Sequence, residues 1–298
     1  MGKQKSSALS NWILASRPRT LPAAIGPAIV GNALAFHDGK YDLGLGIACI
    51  IISVMMQVIA NLANDLFDFQ KGSDNKDRLG PTRATASGLI SVKKMRIGII
   101  ILIGITALIG GYITLSRGIV VIGLGVLIFL GALLYSGGII AYGYRGLGDL
   151  FVFIFFGLVA TMGTYFAITG TVSLIAGIFS LTQGFLITNI LVVNNVRDRF
   201  TDEQSGKRTL AVMFGRNVMN TEFVVNLLIP FGLIIFVVLR GLFGYGIFTV
   251  LFSLPLARTL YLDFLAKDGK DLNAVLGATA NFSLVFSILL CLGILVGK

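Results

Sequence analysis

The sequence predicts an all-α, polytopic membrane protein built as a bundle of nine transmembrane helices. The 298 residues are 55% hydrophobic and 13% charged, whereas soluble domains are about a quarter charged. A spanning helix needs about 20 apolar residues. Nine stretches meet this requirement: 12–36, 43–69, 94–115, 118–138, 147–169, 172–196, 221–240, 243–265 and 273–296. Most links between them are short, so residues 1–298 form a single predicted transmembrane domain.

Two links are long and polar, residues 70–93 and residues 197–220, and basic residues concentrate on their side of the membrane. With the N-terminus in the cytoplasm, 20 of the 24 Lys and Arg residues fall on the cytoplasmic side. This asymmetry is typical of multi-pass proteins. The net charge of +10 therefore indicates orientation in a lipid bilayer rather than nucleic-acid binding.

Acidic residues are scarce, yet three of the 14 lie between positions 61 and 74, at the end of the second span. The spacing i, i+3, i+4 and i+7 places four side chains on one helix face: Asn61, Asn64, Asp65 and Asp68. Carboxylates are costly there, because the helix C-terminus is already negative and the surroundings are apolar. The pattern, which Asp74 extends, predicts a bound divalent metal.

A second acidic motif, residues 194–202, ends the sixth span and repeats the first at an offset of 133 residues. Asn194 precedes Asp198 by four positions, as Asn61 precedes Asp65, and Asp202 follows one turn later. Asn195 adds another amide oxygen to this motif. We expect the two motifs to face each other across the bundle at its cytoplasmic end.

Oxygen ligands of this kind favour Mg²⁺, which often joins one or two carboxylates to a substrate phosphate. His37 is the only histidine, and Cys49 and Cys291 lie in apolar runs, so a zinc site is disfavoured. Basic residues near both motifs suit a magnesium-bound diphosphate. For each one alone, positive-inside topology is the competing explanation. These diphosphate-binding candidates are Arg19, Lys71, Arg78, Arg83, Lys207 and Arg208.

A diphosphate at this rim would direct its organic part into the membrane. Ionisation of an allylic diphosphate requires stabilisation of the leaving group by metal and cationic side chains. The resulting carbocation requires aromatic faces in a dry cavity. Aromatic candidates for this cavity lie on the central spans, although plain packing would also explain them: Tyr135, Phe151, Phe155, Phe156 and Tyr165.

Both motifs resemble those of one family, the UbiA superfamily of intramembrane prenyltransferases. The first is Asn61-x-x-Asn-Asp-x-x-Asp-x-x-x-x-x-Asp74 followed by Asp77-Arg-x-Gly-Pro-x-Arg83. The second runs from Asn194 through Gly-Lys-Arg-Thr-Leu-Ala-Val. Arg17-Pro-Arg-Thr-Leu-Pro22 and Arg145-Gly-Leu-Gly-Asp149 are similar to the branch that acts in menaquinone biosynthesis.

The resemblance implies nine helices in a bacterial cytoplasmic membrane, Mg²⁺ dependence and a polyprenyl diphosphate donor. It implies 1,4-dihydroxy-2-naphthoate as the aromatic acceptor, with loss of CO₂ and diphosphate to give a demethylmenaquinol. It also implies which residues bind metal and catalyse the reaction. These are Asp65, Asp68, Asp198 and Asp202, with Asn61, Asn64, Asp74 and Asn195 beside them.

Two alternatives remain at this level. The acceptor could be another ring, of the 4-hydroxybenzoate or homogentisate type. From another class, a cation-coupled secondary transporter would also carry acids within its spans, but at the membrane midplane. Here the ionisable residues cluster at one rim, which favours the enzyme.

Overall fold

A computed structural model describes residues 7–73, 78–138 and 140–297, and within these ranges every regular element is a helix. Two short 3₁₀ turns, Pro18–Thr20 and Tyr142–Tyr144, interrupt the series. The helices in chain order are α1 (Ala8–Ser16), α2 (Pro22–His37), α3 (Leu43–Gln70), α4 (Val92–Arg117), α5 (Val120–Leu134), α6 (Gly148–Thr169), α7 (Leu174–Gln204), α8 (Leu210–Leu239), α9 (Tyr245–Ala266) and α10 (Gly269–Val296).

Seven of the described helices are long and apolar enough to cross a membrane. These are α3, α4 and α6 to α10, and α5 is a shorter apolar helix of 15 residues. The predicted multi-pass, all-α class is therefore confirmed. The first predicted span, 12–36, is not one continuous helix. It divides because Arg17 adopts a left-handed backbone conformation (φ 51°), and a proline at each following helix start begins a new segment.

The predicted long link at 197–220 is wrong. Helix α7 continues to Gln204 and α8 begins at Leu210, so most of the predicted link is helical and residues 205–209 join the two helices. Helix α8 is itself broken at Gly215, whose φ of 76° is not helical. The polar residues of this stretch continue the helix beyond its apolar part. Gly206, with φ 77°, ends the α7 segment, and the Thr209 hydroxyl accepts a hydrogen bond from the backbone of Val212 at the start of α8.

Helix α7 is the most buried of the seven candidate spans and packs against α2, α6, α8 and α10. Gly157 of α6 and Gly184 of α7 allow a close approach of the two backbones, because a Cβ on Gly157 would lie 2.6 Å from the Gly184 nitrogen. Around this contact α6 widens into a π-helical segment, Phe153–Val159. Such segments often occur at functional sites, and this one contains Phe155, whose ring lies against Gly131 of α5.

The C-terminal ends of α3 and α7 lie at the same end of the bundle. The segment 78–91, the Tyr142–Tyr144 turn and residues 205–209 join them there. Both acidic motifs therefore meet in one place, while residues such as His37 and Arg117 lie at the opposite end.

Candidate active site

The two acidic motifs converge on one cation. The Lys207 Nζ lies 3.7 Å from Asp68 Oδ2 and 3.7 Å from Asp202 Oδ1. Asp68 and Asp202 lie two residues before the ends of α3 and α7, and both carboxylates are buried. Burial lowers the pKa of the Lys207 ammonium, but Asp68, Asp202 and Asp198 together raise that pKa above its ordinary value. The site thus holds a positive charge between the two motifs.

Asp68 is the most connected of the acids. Its Oδ2 accepts a hydrogen bond from Arg83 Nη2 at 2.9 Å, and its Oδ1 accepts one from the Tyr144 hydroxyl at 2.9 Å. Because that hydroxyl proton points to Asp68, the Ser73 hydroxyl at 2.7 Å donates to the Tyr144 oxygen. Arg83 and Asp68 are both almost fully buried, so water screens their ion pair weakly.

Tyr144 also connects the basic residues. Lys71 Nζ lies 4.4 Å and Lys207 Nζ 4.8 Å from the centre of its ring, within cation–π range. Its carbonyl accepts the backbone N–H of Arg208 at 3.0 Å. Burial lowers the pKa of Lys71; Asp68 opposes this, while Lys207 and Arg145 lower the pKa further. One residue of the α5–α6 connection thereby links the ends of α3 and α7.

Asp65 has a different position. Its Oδ2 accepts the backbone N–H of Ala84 at 2.8 Å, and its Oδ1 accepts that of Thr85 at 2.9 Å. Asp65 does not line the cavity that Asp68 lines. It therefore holds the backbone that follows Arg83, and so sets where the Arg83 guanidinium lies.

The second motif reaches the first through Arg197, which is 2% exposed. Its Nε and Nη2 donate to the two oxygens of Asp198 at 2.8 and 2.5 Å, and its Nη1 donates to Asn273 Oδ1 at 2.9 Å. The Asn273 amide donates in turn to the carbonyl of Leu79 at 2.9 Å. Helix α10 is thereby tied both to α7 and to the segment that leads to Arg83.

A cavity of about 230 Å³ extends from these groups into the bundle. Thirteen of the residues predicted for the site line it: Asn61, Asn64, Asp68, Arg78, Arg83, Asn195, Asp198, Asp202, Lys207, Tyr135, Phe151, Phe155 and Phe156. The Asn61 amide is already engaged, because its Nδ2 donates to the Ser16 carbonyl and the Thr20 hydroxyl where α1 ends.

Besides Asp65, four of the predicted residues that the structure describes do not line this cavity: Arg19, Lys71, Arg208 and Tyr165. Arg19 is exposed, and Arg17 lines the cavity in its place because the backbone turns between α1 and α2. Lys71 and Arg208 are exposed at the rim. Tyr165 is at the opposite end of α6, where its hydroxyl donates to Asp38 at 2.5 Å, so it cannot contribute to this cavity. Asp74 falls outside the described residues.

The apolar wall of the cavity contains a continuous aromatic cluster. The ring of Tyr142 contacts Tyr135 edge-on at 5.4 Å between centroids and Phe151 at 4.3 Å, and Phe151 stacks on Phe155 at 6.0 Å. The Tyr142 hydroxyl is used within the protein, since it donates to the Gly131 carbonyl. Burial raises the pKa of that hydroxyl, so it stays a neutral donor. These rings line the same cavity as the charged groups.

Several residues of the site were not predicted as such: Arg17, Tyr142, Tyr144, Arg197 and Asn273. A signal existed for the tyrosines, because three of the eight in the chain fall between positions 135 and 144, just before Arg145. Arg197 was counted only as a basic residue of the cytoplasmic side. The role of Asn273 depends on a contact with a residue 194 positions away, which sequence spacing does not reveal.

Within the described part of the chain, no three Asp, Glu, His or Cys side chains lie close enough to hold a metal by themselves. The donors that do converge are carboxylate and amide oxygens at one rim, beside Lys and Arg. This set fits a Mg²⁺ ion that also takes phosphate oxygens and water. It suits a metal–diphosphate complex better than an ion held by protein alone.

Comparisons with known proteins identify the family of this chain. The UbiA prenyltransferase family model matches residues 24–295. The chain is 30% identical over 304 residues to a 1,4-dihydroxy-2-naphthoate octaprenyltransferase of Haemophilus influenzae, covering 99% of each. It is 34% identical over 221 residues to the Escherichia coli protein of that name, covering 72% of each. A UbiA homolog from Archaeoglobus fulgidus bound to DMAPP and Mg²⁺ shares the fold, with TM-score 0.65 and 17% identity, covering 97% of this chain and 100% of that one. This chain is a member of the UbiA prenyltransferase family.

Proposed function

We propose that this protein transfers a polyprenyl group from its diphosphate to 1,4-dihydroxy-2-naphthoate. The observation that carries the proposal is the meeting of Asp68 and Asp202 around Lys207, directly beside an aromatic-walled cavity. An anionic head and an apolar tail on one substrate match these two surroundings. The names of the relatives supply the acceptor.

Mg²⁺ bound with the diphosphate would neutralise part of the charge that develops on the leaving group. The residues proposed to supply oxygens to it are Asp68, Asp198 and Asp202, with Asn64 and Asn195 beside them. Asp65 does not line the cavity, and both of its oxygens accept backbone N–H groups, so we assign it to positioning the segment after Arg83. Asn61 similarly holds the break between α1 and α2.

Four cationic side chains of the cavity face the head group: Arg17, Arg78, Arg83 and Lys207. In the cavity they are partly shielded from water, where hydrogen bonds to phosphate oxygens are strong. As the C–O bond breaks, the diphosphate leaves with the electron pair, and these donors stabilise the charge that it gains.

The allylic carbocation then lies against the aromatic cluster, in reach of the ring faces of Tyr135, Tyr142 and Phe151. The acceptor ring attacks through the carbon that carries the carboxylate. A C–C bond forms, the carboxylate leaves as CO₂, and its bonding pair restores the aromatic ring. The dry cavity protects the cation from water.

The proposed orientation of the protein in the membrane follows from the distribution of its Lys and Arg residues. Helices α1 and α2 are taken together as one broken crossing, which with α3 to α10 makes nine crossings. The N-terminus and the active-site loops then lie in the cytoplasm of a bacterial inner membrane, where a water-soluble naphthoate and the diphosphate product have direct access. The excess of Lys and Arg on that side supports this arrangement.

The test is product formation by the purified protein in lipid nanodiscs. With farnesyl diphosphate and Mg²⁺, carboxyl-labelled dihydroxynaphthoate should yield a prenylated naphthoquinol and labelled CO₂. Replacing Asp68→Asn should lower kcat by about a hundredfold. Asp42→Asn is the matched control, because Asp42 caps α3 at the opposite end and Asn caps equally well.

Two results would contradict the proposal. One is turnover of 4-hydroxybenzoate or homogentisate in preference to dihydroxynaphthoate, which would change the acceptor. The other is undiminished turnover when magnesium is chelated, which would remove the metal from the reaction.

A further inference from the structure

The active-site cavity has a neutral polar wall besides its aromatic one. This polar wall consists of Gln57 and Asn61 of α3 and of Thr20, which ends the 3₁₀ turn before α2. All three side chains line the cavity, and none of them is charged. Neutral amide and hydroxyl groups are poor partners for a diphosphate but good partners for hydroxyl groups of a ligand.

Two backbone carbonyls fix the direction of every hydrogen bond within the polar wall. The Thr20 hydroxyl donates to the carbonyl of Arg17 at 3.0 Å, so the Thr20 oxygen can only accept from the side chains around it. The Asn61 Nδ2 donates to the carbonyl of Ser16 at 2.9 Å and to the Thr20 oxygen at 3.1 Å. The oxygen of the Asn61 amide is therefore the atom that faces Gln57.

Gln57 is held in one amide orientation as a result. Its Nε2 donates to Asn61 Oδ1 at 3.3 Å and to Thr20 Oγ1 at 3.2 Å, which uses both of its hydrogens. A reversed amide would place its oxygen against the Asn61 oxygen and would lose both bonds. Among the described residues, no group donates to Gln57 Oε1, although Gln57 is only 8% exposed and lines the cavity. The polar wall thus presents one fixed hydrogen-bond acceptor to a ligand.

The distance from the acids and the chemistry of the acceptor substrate identify this ligand group. Gln57 lies 11 residues before Asp68 on α3, which is about 16 Å along a helix, so a diphosphate at the rim does not reach it. In dihydroxynaphthoate the 1-hydroxyl lies beside the carboxylate and donates to it within the molecule. The 4-hydroxyl, on the other side of the ring, has no internal partner and remains a free donor.

We infer that Gln57 Oε1 accepts a hydrogen bond from the 4-hydroxyl of the acceptor, and that Thr20 and Asn61 position Gln57 for this contact. The inference rests on the proposed function, since it concerns the second substrate of that reaction. The carboxylate of the acceptor then points away from Gln57, toward the cationic rim. Gln57 is thus a specificity-determining residue that favours a 1,4-dihydroxy ring over a ring with a single hydroxyl, because that ring would leave a buried amide oxygen without a partner.

The experiment measures kcat/KM for dihydroxynaphthoate and for 1-hydroxy-2-naphthoate, which lacks only the 4-hydroxyl, with farnesyl diphosphate as the donor. Wild-type protein should prefer dihydroxynaphthoate. Gln57→Met keeps the length of the side chain without the amide, and it should reduce this preference about tenfold. The intrinsic reactivity of each acceptor is the same for both proteins, so it cancels when the two preferences are compared. Thr20→Val should reduce the preference as well, because it removes one partner of the Gln57 amide.

Gln183→Met is the matched control, because it makes the same change at another buried glutamine. The Gln183 oxygen accepts the Ser287 hydroxyl at 2.7 Å, and Gln183 does not line the cavity. This variant should keep the wild-type preference.

A wild-type preference in Gln57→Met overturns the inference and leaves the proposed function intact. An equal loss with both acceptors also overturns it, because a purely structural role of Gln57 affects both alike. If Gln57→Met does not fold, the preference of Thr20→Val decides, and the wild-type value there overturns the inference. Failure of wild-type protein to turn over dihydroxynaphthoate would instead contradict the proposed function itself.

Discussion

Tyr144 contacts the first acidic motif and the loop that follows the second. Its hydroxyl donates to Asp68, and the ammonium groups of Lys71 and Lys207 lie 4.4 and 4.8 Å from the centre of its ring. The Tyr144→Phe substitution keeps the ring and removes the hydrogen bonds of the hydroxyl with Asp68 and Ser73. We expect kcat/KM to fall about tenfold, equivalent to about 1.4 kcal/mol. Steady-state prenyl transfer measures this loss.

Tyr144→Leu should fall further, because it also removes the ring that holds both lysines. Tyr245→Phe is the control, since Tyr245 is 79% exposed and its ring contacts only Phe248 among the aromatic pairs of the described chain. Equal activity in Tyr144→Phe and wild type would mean that the hydroxyl does not position Asp68.

The acids of the first motif should separate into two roles. Asp65→Asn replaces one carboxylate oxygen by an NH₂ group that faces a backbone N–H, so the segment after Arg83 should loosen. Hydrogen exchange at Ala84 and Thr85 should then accelerate. Asp68→Asn should leave that exchange unchanged and raise the Mg²⁺ concentration needed for half-maximal activity. The reverse assignment of these two effects would make Asp65 the metal ligand.

The identities of the charged residues in the site could largely be predicted from the sequence, because scarce acids at helix ends have few explanations. The hydrogen-bond partners of these residues could not be predicted. The bond between Asp65 and Ala84 depends on how the segment after residue 78 folds back. Arg17 replaces Arg19 in the cavity because one residue adopts φ 51°, which composition does not reveal for a non-glycine.

At the scale of elements, the length of the apolar stretches predicted where helices lie, but it did not predict where α7 ends. Helix α7 runs eight residues past the predicted span, since hydropathy marks the membrane rather than the end of the helix. The π-helical segment of α6 also went unpredicted. This segment lies around the contact of Gly157 with Gly184 on a neighbouring helix, and sequence patterns within α6 do not reveal such a contact.

That contact gives a prediction for the α6–α7 pair. Gly157→Ala places a methyl group against the Gly184 backbone, which has no side chain to move aside. Forcing the helices apart should lower the free energy of unfolding by about 1 to 3 kcal/mol. Thermal melting in detergent measures it. Gly177→Ala on α7 is the control, because its Cβ would meet open space. Equal melting of both variants would show that the two helices can separate at no cost.

At the scale of the whole molecule, the charged groups of the site lie at one end of the bundle. The orientation of the protein in the membrane therefore decides on which side of the membrane the reaction occurs. The loop after α2 lies at the opposite end and contains Lys40, whereas Gln204 ends α7 beside the site. Both positions are exposed. The two native cysteines lie within helices, so wild-type protein serves as the unlabelled control for cysteine labelling.

In intact cells a membrane-impermeant maleimide should label the Lys40→Cys variant and leave Gln204→Cys unlabelled until the membrane is permeabilised. The physical reason is that moving the many Lys and Arg residues near the site across the membrane costs far more than moving the few at the other end. The opposite labelling pattern would place the diphosphate site outside the cell. The water-soluble diphosphate product would then be released there, and the proposed access from the cytoplasm would be wrong.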